Sequence, residues 1–317
     1  MIVAVQRLPA EVAFVVFSRI TVLAGLVALL AIASPHFLTS DNMVIILRQA
    51  ALQFLLSAGL TLVVITGGID LSIGAVLGLA ACVGAALIAK GMLVAGVAAA
   101  LAVGLACGLV NGLMVAYIGI PAFIATYGML WVAHGLGYVF MKGEVIHGFD
   151  PAFRALGAGF WGAVPVPVLV AAALLVLLHV VLYLTRFGRA LYAIGGNPVA
   201  ARLTGIPTKR YLVQVYGLSG LLAGFAGLVV IARVNAADSG TGEELLLAII
   251  AAVVLGGTSL FGGVGGIAGT AIGALILALV VNGMNMLGIP TFWQAFAMGA
   301  IVILAVLADV SFKRRYS

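Results

Sequence analysis

The chain has 317 residues, 65% hydrophobic and 8% charged, with a formal net charge of +6. Its mean hydropathy of +1.32 describes a surface that lipid rather than water must solvate, which excludes a soluble domain. Apolar runs of about 20 residues cross hydrocarbon as helices, because each backbone polar group is then satisfied internally. The expected fold class is therefore all-α: a polytopic transmembrane helical bundle forming one domain over residues 1–317.

In chain order the apolar runs predict ten spans, near 14–34, 44–66, 71–89, 92–117, 122–141, 165–185, 211–232, 245–261, 266–287 and 292–310. An even number of crossings puts both termini on one side. That side carries ten Lys/Arg (Arg7, Arg19, five between 186 and 210, and Lys313, Arg314 and Arg315) against three acids, Glu11, Asp70 and Asp309. The other side has five, Arg48, Lys90, Lys142, Arg154 and Arg233, against six acids. The positive excess marks the cytoplasmic side, with membrane lipid as its partner and no nucleic acid expected. A rival reading takes 1–33 as a cleaved signal peptide, from the short run Ile20 to Ala33 and the site-like Ala31-Ile32-Ala33. Against it, the apolar run extends back through Phe14 to Phe17.

Asp70, in Thr66-Gly67-Gly68-Ile69-Asp70-Leu71-Ser72, lies at the head of the third run. Two readings stay open: an N-cap for the helix that follows, or a carboxylate in a conduit or its gate. Glu244 stands in the same position before the eighth run and carries the same ambiguity. The neutral amides Asn111, Asn282 and Asn285 suit a hydroxyl-rich solute, since they donate and accept without a charge to desolvate, and they serve equally as bonds between helices. Asp70, Asn111, Glu244, Asn282 and Asn285 are thus the candidates for the translocation path or its gating.

Cys82 and Cys107 fall inside apolar runs and read as small hydrophobes, so neither a disulfide nor a metal site is expected. His36, His134, His147 and His179 lack the spacing of metal ligands, and the two within runs, His134 and His179, are expected to bond to a neighbouring helix. Glycine strings such as Gly104, Gly108, Gly112 and Gly265, Gly269, Gly273 predict closely packed helices. The stretch Gly256 to Gly266 is too rich in glycine for a continuous helix and reads as a break at the cytoplasmic end of a span.

The two halves, about 14–141 and 165–310, recur in order. Asn111-Gly112 with Gly119-Ile120-Pro121 has a counterpart in Asn282-Gly283 with Gly288-Ile289-Pro290, and Thr66-Gly67 before Asp70 has one in Thr241-Gly242 before Glu244. With the predicted topology these are two inverted five-span repeats, an architecture of transporters.

Between the halves lies the densest charge, Arg186 to Arg210, with five Lys/Arg and no acid around a short helix-forming core, Asn197 to Leu203. A positive-inside loop accounts for the charge but not for the Asn-Pro turn and compact helix. No Gly-Lys dipeptide, and so no phosphate loop, occurs in the chain. Gly263-x-Gly265-x-x-Ala268 lacks the strand that a dinucleotide site needs. The chain is expected not to be an enzyme and to use no cofactor, and any ATP hydrolysis belongs to another polypeptide.

Three motifs, Gly67 to Gly74, Gly196 to Ile206 and Gly256 to Gly263, closely resemble the ribose-type permeases of bacterial ABC importers over essentially the whole chain. The resemblance implies a multi-pass protein of the bacterial inner membrane that works with a second permease copy or paralogue, a periplasmic solute-binding protein and a cytoplasmic ABC ATPase. It also implies that the cytoplasmic loop 186–210 carries a coupling helix seated in the ATPase, made of Asn197, Pro198, Ala200, Ala201, Arg202, Leu203, Gly205 and Ile206. The solute is then a sugar or sugar-like compound. A secondary carrier or channel for a small polar solute is the alternative class.

Overall fold

A computed structural model describes residues 10–242 and 245–316. The helices are α1 Ala10–Ala33, α2 Ser40–Ile65, α3 Ile73–Ile88, α4 Leu93–Leu113 continuing as a π-helical turn Met114–Ile118, α5 Ala122–Met141, α6 Pro151–Ala158 and α7 Val166–Leu184. They continue as α8 Arg186–Gly196, α9 Pro198–Leu203, α10 Thr208–Val234, α11 Leu246–Leu255, α12 Ile267–Met286 and α13 Thr291–Tyr316. Among the described residues sheet is confined to two small antiparallel pairs. Strand β1 (Ile146–His147) pairs with β4 (Ala236–Ala237), and β2 (Phe160–Trp161) pairs with β3 (Val164–Pro165).

Among the described residues six helices are long and apolar enough to cross a membrane: α2, α4 with its π turn, α5, α7, α10 and α12. Four shorter apolar stretches accompany them, at Thr21–Ala33, Ile73–Ile88, Leu246–Leu255 and Thr291–Leu304. The eighth predicted span, 245–261, is thus cut to a ten-residue helix, because the glycines from Gly256 onward end it.

The core is built on α2 and α10. From Ala51 to Ile65 every residue of α2 except Gln53 is buried, and Gly59 lets its backbone approach that of Ser219 on α10, where an added Cβ would sit 3.0 Å from the Ser219 Cα. The other face of α10 meets α4. A Cβ on Gly104 would overlap the Gly220 carbonyl, and one on Gly108 would overlap that of Tyr216. Helix α12 meets α11 in the same way, Gly269 against the Gly256 carbonyl and Gly273 against that of Ala252. Lipid tails supply little drive for helix association, so such contacts hold the bundle through dispersion at close range. The predicted small-residue strings are these seams.

The depth of the short helices follows from bonds to α2. Ser57 Oγ donates to the Ile249 carbonyl at 3.3 Å, and the Thr61 and Thr270 hydroxyls meet at 2.7 Å. Helix α11 therefore starts about halfway along α2 and runs to its Ile65 end. After Ile65 the chain closes tightly, with Thr66 Oγ1 donating to Val63 O at 2.7 Å and Gly67 N to Val64 O at 2.9 Å. It then folds back beside α10, where Ser219 bonds Asp70 and also lies against Gly59, so the turn that leads into α3 sits short of the Ile65 end. The half-length helices α3 and α11 both start inside the bundle.

Candidate functional site

The charged segment after α7 forms two helices, α8 and α9, joined at Asn197. Thr185 ends α7 and caps α8, accepting from Gly188 N at 3.3 Å. Gly188, Ala190, Leu191 and Ile194 are buried beneath α8, while Arg186 and Arg189 are exposed. Asn197, extended at φ −157°, then caps α9 by accepting from Val199 N at 3.1 Å and Ala200 N at 3.0 Å, and Pro198 occupies the first helical position, where no backbone donor is needed. At the far end Gly205 takes φ +84°, and the Ile206 N–H returns to Ala201 O at 3.1 Å.

With its termini satisfied locally, α9 turns almost everything outward. Asn197, Pro198, Ala200, Arg202 and Gly205 are exposed, with Val199 at 66% and Leu203 at 83%. Ala201 is buried and Ile206 half-buried. Beside α9 a groove of about 300 Å³ is lined by Arg202, Lys209, Arg210 and Tyr117. The Lys209 ammonium stands 5.2 Å from the Tyr117 ring centre.

Helix α8 rests on the end of α2 through glycines. The Gly263 N–H donates to Ile65 O at 2.9 Å. A Cβ on Gly195 would collide with that same carbonyl and with Gly263 N, and one on Gly262 would lie 2.7 Å from Gly67 N. Tyr192 Oη donates to Gly265 O at 2.9 Å, and burial first, then the neighbouring Tyr183, holds its hydroxyl well above the usual tyrosine range. Three segments far apart in sequence, 65–67, 195–196 and 262–265, thus meet at one junction with α9 projecting from it.

From this junction 66–72 leads to Asp70, which is 1% exposed. Its Oδ1 accepts from Ser72 Oγ at 2.6 Å and Ser72 N at 3.0 Å, and its Oδ2 from Ser219 Oγ at 3.0 Å. Asn111 Nδ2 donates to Ser72 Oγ at 2.9 Å. The Ile69 carbonyl accepts from Tyr216 Oη at 3.2 Å and Thr126 Oγ1 at 3.4 Å. The segment is therefore bonded to α4, α5 and α10 at once. Asp70 is not the N-cap of α3: Ser72 holds that position, and the carboxylate organises the turn ahead of it.

Residues 42–306 match the family described as branched-chain amino acid transport system / permease component. The chain is 42% identical to the ribose import permease protein RbsC of Bacillus subtilis (strain 168) over 90% of its own length and 89% of that protein's. It is 35% identical to the D-allose transport system permease protein AlsC of Escherichia coli (strain K12), over 91% and 89%. It is 34% identical to the galactose/methyl galactoside import permease protein MglC of the same organism, over 91% and 92%. The chain belongs to this permease family. No solved structure matches.

The remaining candidates of the permease are placed apart from one another. Asn282 is buried in a reciprocal amide pair with Asn42, at 2.7 and 3.2 Å, and Asn42 also bonds Phe37 O at 2.8 Å, so the pair ties α12 to α2. Asn285 is exposed near the end of α12 and accepts from Gln294 of α13 at 2.7 Å. Glu244 lies outside the described residues. His134 and His179 make ring contacts on their own helices, His134 with Trp131 and Tyr138 and His179 with Tyr183. Sequence reading missed two features. Phe123, Tyr127, Trp131, His134 and Tyr138 form one stripe on α5, a helical spacing that was visible but looks the same as a core stripe. The half-buried Arg19 guanidinium lies where a Cβ on Gly257 would go, at the end of α11.

Proposed function

We propose that this permease is the membrane subunit of an ATP-driven importer that passes a sugar, delivered by a periplasmic binding protein, across the bacterial inner membrane. The observation that carries this reading is α9: a capped, outward-facing helix mounted on a junction that reaches the Asp70 network in a few residues. Asn197, Pro198, Ala200, Ala201, Arg202, Leu203, Gly205 and Ile206 form the coupling element for a cytoplasmic ABC ATPase. Exposed Val199 and Leu203 fill an apolar slot in it, and Arg202, Lys209 and Arg210 meet its acidic rim or lipid headgroups. The sugar assignment follows from relatives named for ribose, allose and galactose import.

Nucleotide-driven closure of the ATPase moves α9 with α8, and the glycine junction passes that motion to 66–72. Asp70 and Asn111 act as its gate, because their bonds fasten this segment to α4 and α10. Glu244 is the counterpart in the second half, while Asn282 and Asn285 hold the partner helices at the other side of the bundle. Ten spans with both termini cytoplasmic, in two inverted five-span repeats, fit the packing. Helix α2 lies against α10 and α12 as α10 lies against α2 and α4, and the short α3 and α11 each follow one member of the central pair. A second permease copy or paralogue completes the conduit.

The test is co-purification of the ABC ATPase co-expressed with the permease. Leu203→Asp and deletion of 197–206 should abolish ATPase capture while the permease stays monodisperse in detergent. Full ATP-driven uptake by the deletion variant would overturn the assignment, and uptake in proteoliposomes without ATP would favour a carrier.

A further inference from the structure

The exposed face of α5 differs from that of α4. Successive rings from Phe123 through Tyr127, Trp131 and His134 to Tyr138 lie 5.9, 6.4, 5.7 and 4.7 Å apart. They cover 16 residues, about 22 Å of helix from first to last, and so run through the middle of α5 as well as its ends. Aromatic side chains that face lipid collect at the two interfaces, where ring and hydroxyl each find their medium. Helix α4 follows that rule: its exposed face from Val94 to Leu113 is aliphatic, and a tyrosine, Tyr117, appears only at its end. On α5 Phe123 and Trp131 are each 57% exposed, and Tyr127 and Tyr138 nearly as much.

The middle of this stripe opens on a cavity of about 130 Å³. Leu130, Trp131 and His134 of α5 line one side, and Leu71, Gly74 and Ala75 around the start of α3 and Leu246 at the start of α11 line the other. Solute sites of transporters gather where half-length helices begin inside the membrane. The opposite face of α5 is bound to the gate through Thr126 and the Ile69 carbonyl. No Lys, Arg, Asp or Glu occurs between Ala122 and Met141, so the face suits a neutral solute.

Resting on the importer reading above, we propose that this stripe is the sugar path and that Trp131 and His134 hold the sugar ring at mid-depth. A flat indole face takes the C–H face of a sugar ring, while tyrosine hydroxyls and the imidazole exchange hydrogen bonds with its rim. A weakly holding series of rings suits passage, since each step exchanges one stacking partner for the next.

Three variants of the full chain, co-expressed with the ATPase and reconstituted with the binding protein, test this: Trp131→Leu, Trp131→Phe and Trp131→Cys. Trp131→Leu should lower ATP-driven uptake of labelled ribose, allose or galactose by about tenfold or more with ATPase capture unchanged, and Trp131→Phe should restore most of it. Trp131→Cys should react with a membrane-impermeant maleimide, slowed by sugar, while Val110→Cys on α4 does not, the unmodified chain serving as blank. Undiminished uptake by Trp131→Leu overturns the proposal, as does equal protection of both cysteines, which would place lipid on this face. Protection of Trp131→Cys together with loss of the dimer on Trp131→Leu would place a second copy there and also overturn it. Failure of the unmodified chain to capture the ATPase would instead count against the importer reading.

Discussion

Segments 66–72 and 197–206 are both short, polar and rich in turns, yet the bundle treats them in opposite ways. In the first, the carboxylate of Asp70 receives three hydrogen bonds from Ser72 and Ser219, inside the protein and away from water. In the second, Asn197 satisfies two backbone donors of its own helix and leaves the outer surface unengaged by the rest of the chain. The first needs its neighbours in order to exist, whereas the second needs only itself. Damage to 66–72 should therefore cost folding, and damage to 197–206 should cost only what docks there.

The largest effect expected from that contrast is at Asp70. Asp70→Leu would strand the Ser72 N–H and the hydroxyls of Ser72 and Ser219 in a low-dielectric interior, where each orphaned donor costs about 1–3 kcal/mol. The expected outcome is a loss of about 3 kcal/mol or more, seen as aggregation or a strongly lowered melting temperature in detergent. Asp70→Asn keeps an acceptor and the shape, so it should fold and lose uptake more than stability. Equal melting temperatures for Asp70→Leu and the unmodified chain would break the comparison at its buried end.

A middle-sized effect is expected at the junction between the two segments, where adjacent glycines provide an internal control. A Cβ at Gly195 would run into the Ile65 carbonyl, whereas one at Gly196 would meet nothing within 4 Å. Gly195→Ala should cost about 1–3 kcal/mol through overpacking and separate α8 from α2, lowering uptake while ATPase capture persists. Gly196→Ala should be close to neutral in both assays. If the two variants behave alike, the junction does not transmit motion between α9 and the proposed gate.

How much of this was legible in the sequence depended on how local the deciding force is. The core of α9 was legible at Asn197-Pro198, because a cap and a first-turn proline act over three residues. The break after Leu255 was legible for the same reason, since glycine density ends a helix without help from elsewhere. The inward fold of 66–72 was not. Reading Asp70 as an N-cap was reasonable from its place before an apolar run, but partners on α10, 149 residues away, fix its orientation. Nor could hydropathy reveal that Asn282 pairs with Asn42, 240 residues apart. The α5 stripe was visible as spacing, but only the exposure of its rings in the folded bundle shows that they face outward.

The smallest effect is expected at the exposed end of the comparison, and it tests whether α9 is as self-contained as its hydrogen bonds suggest. Asn197→Ala removes the acceptor for Val199 N and Ala200 N, and loss of a side-chain cap costs about 1 kcal/mol of helix stability. Because α9 is exposed apart from Ala201, that cost should fall on the local helix–coil balance and leave the melting temperature of the bundle unchanged within error. Docking would then have to re-form the helix, so ATPase affinity should drop by about fivefold, the equivalent of about 1 kcal/mol. Asn197→Asp or Asn197→Ser, which still cap, should recover most of the affinity. A fall in bundle melting temperature with Asn197→Ala would mean that α9 is part of the fold's load path rather than an appendage on it, and the proposed division between a buried gate and a free-standing coupling helix would fail.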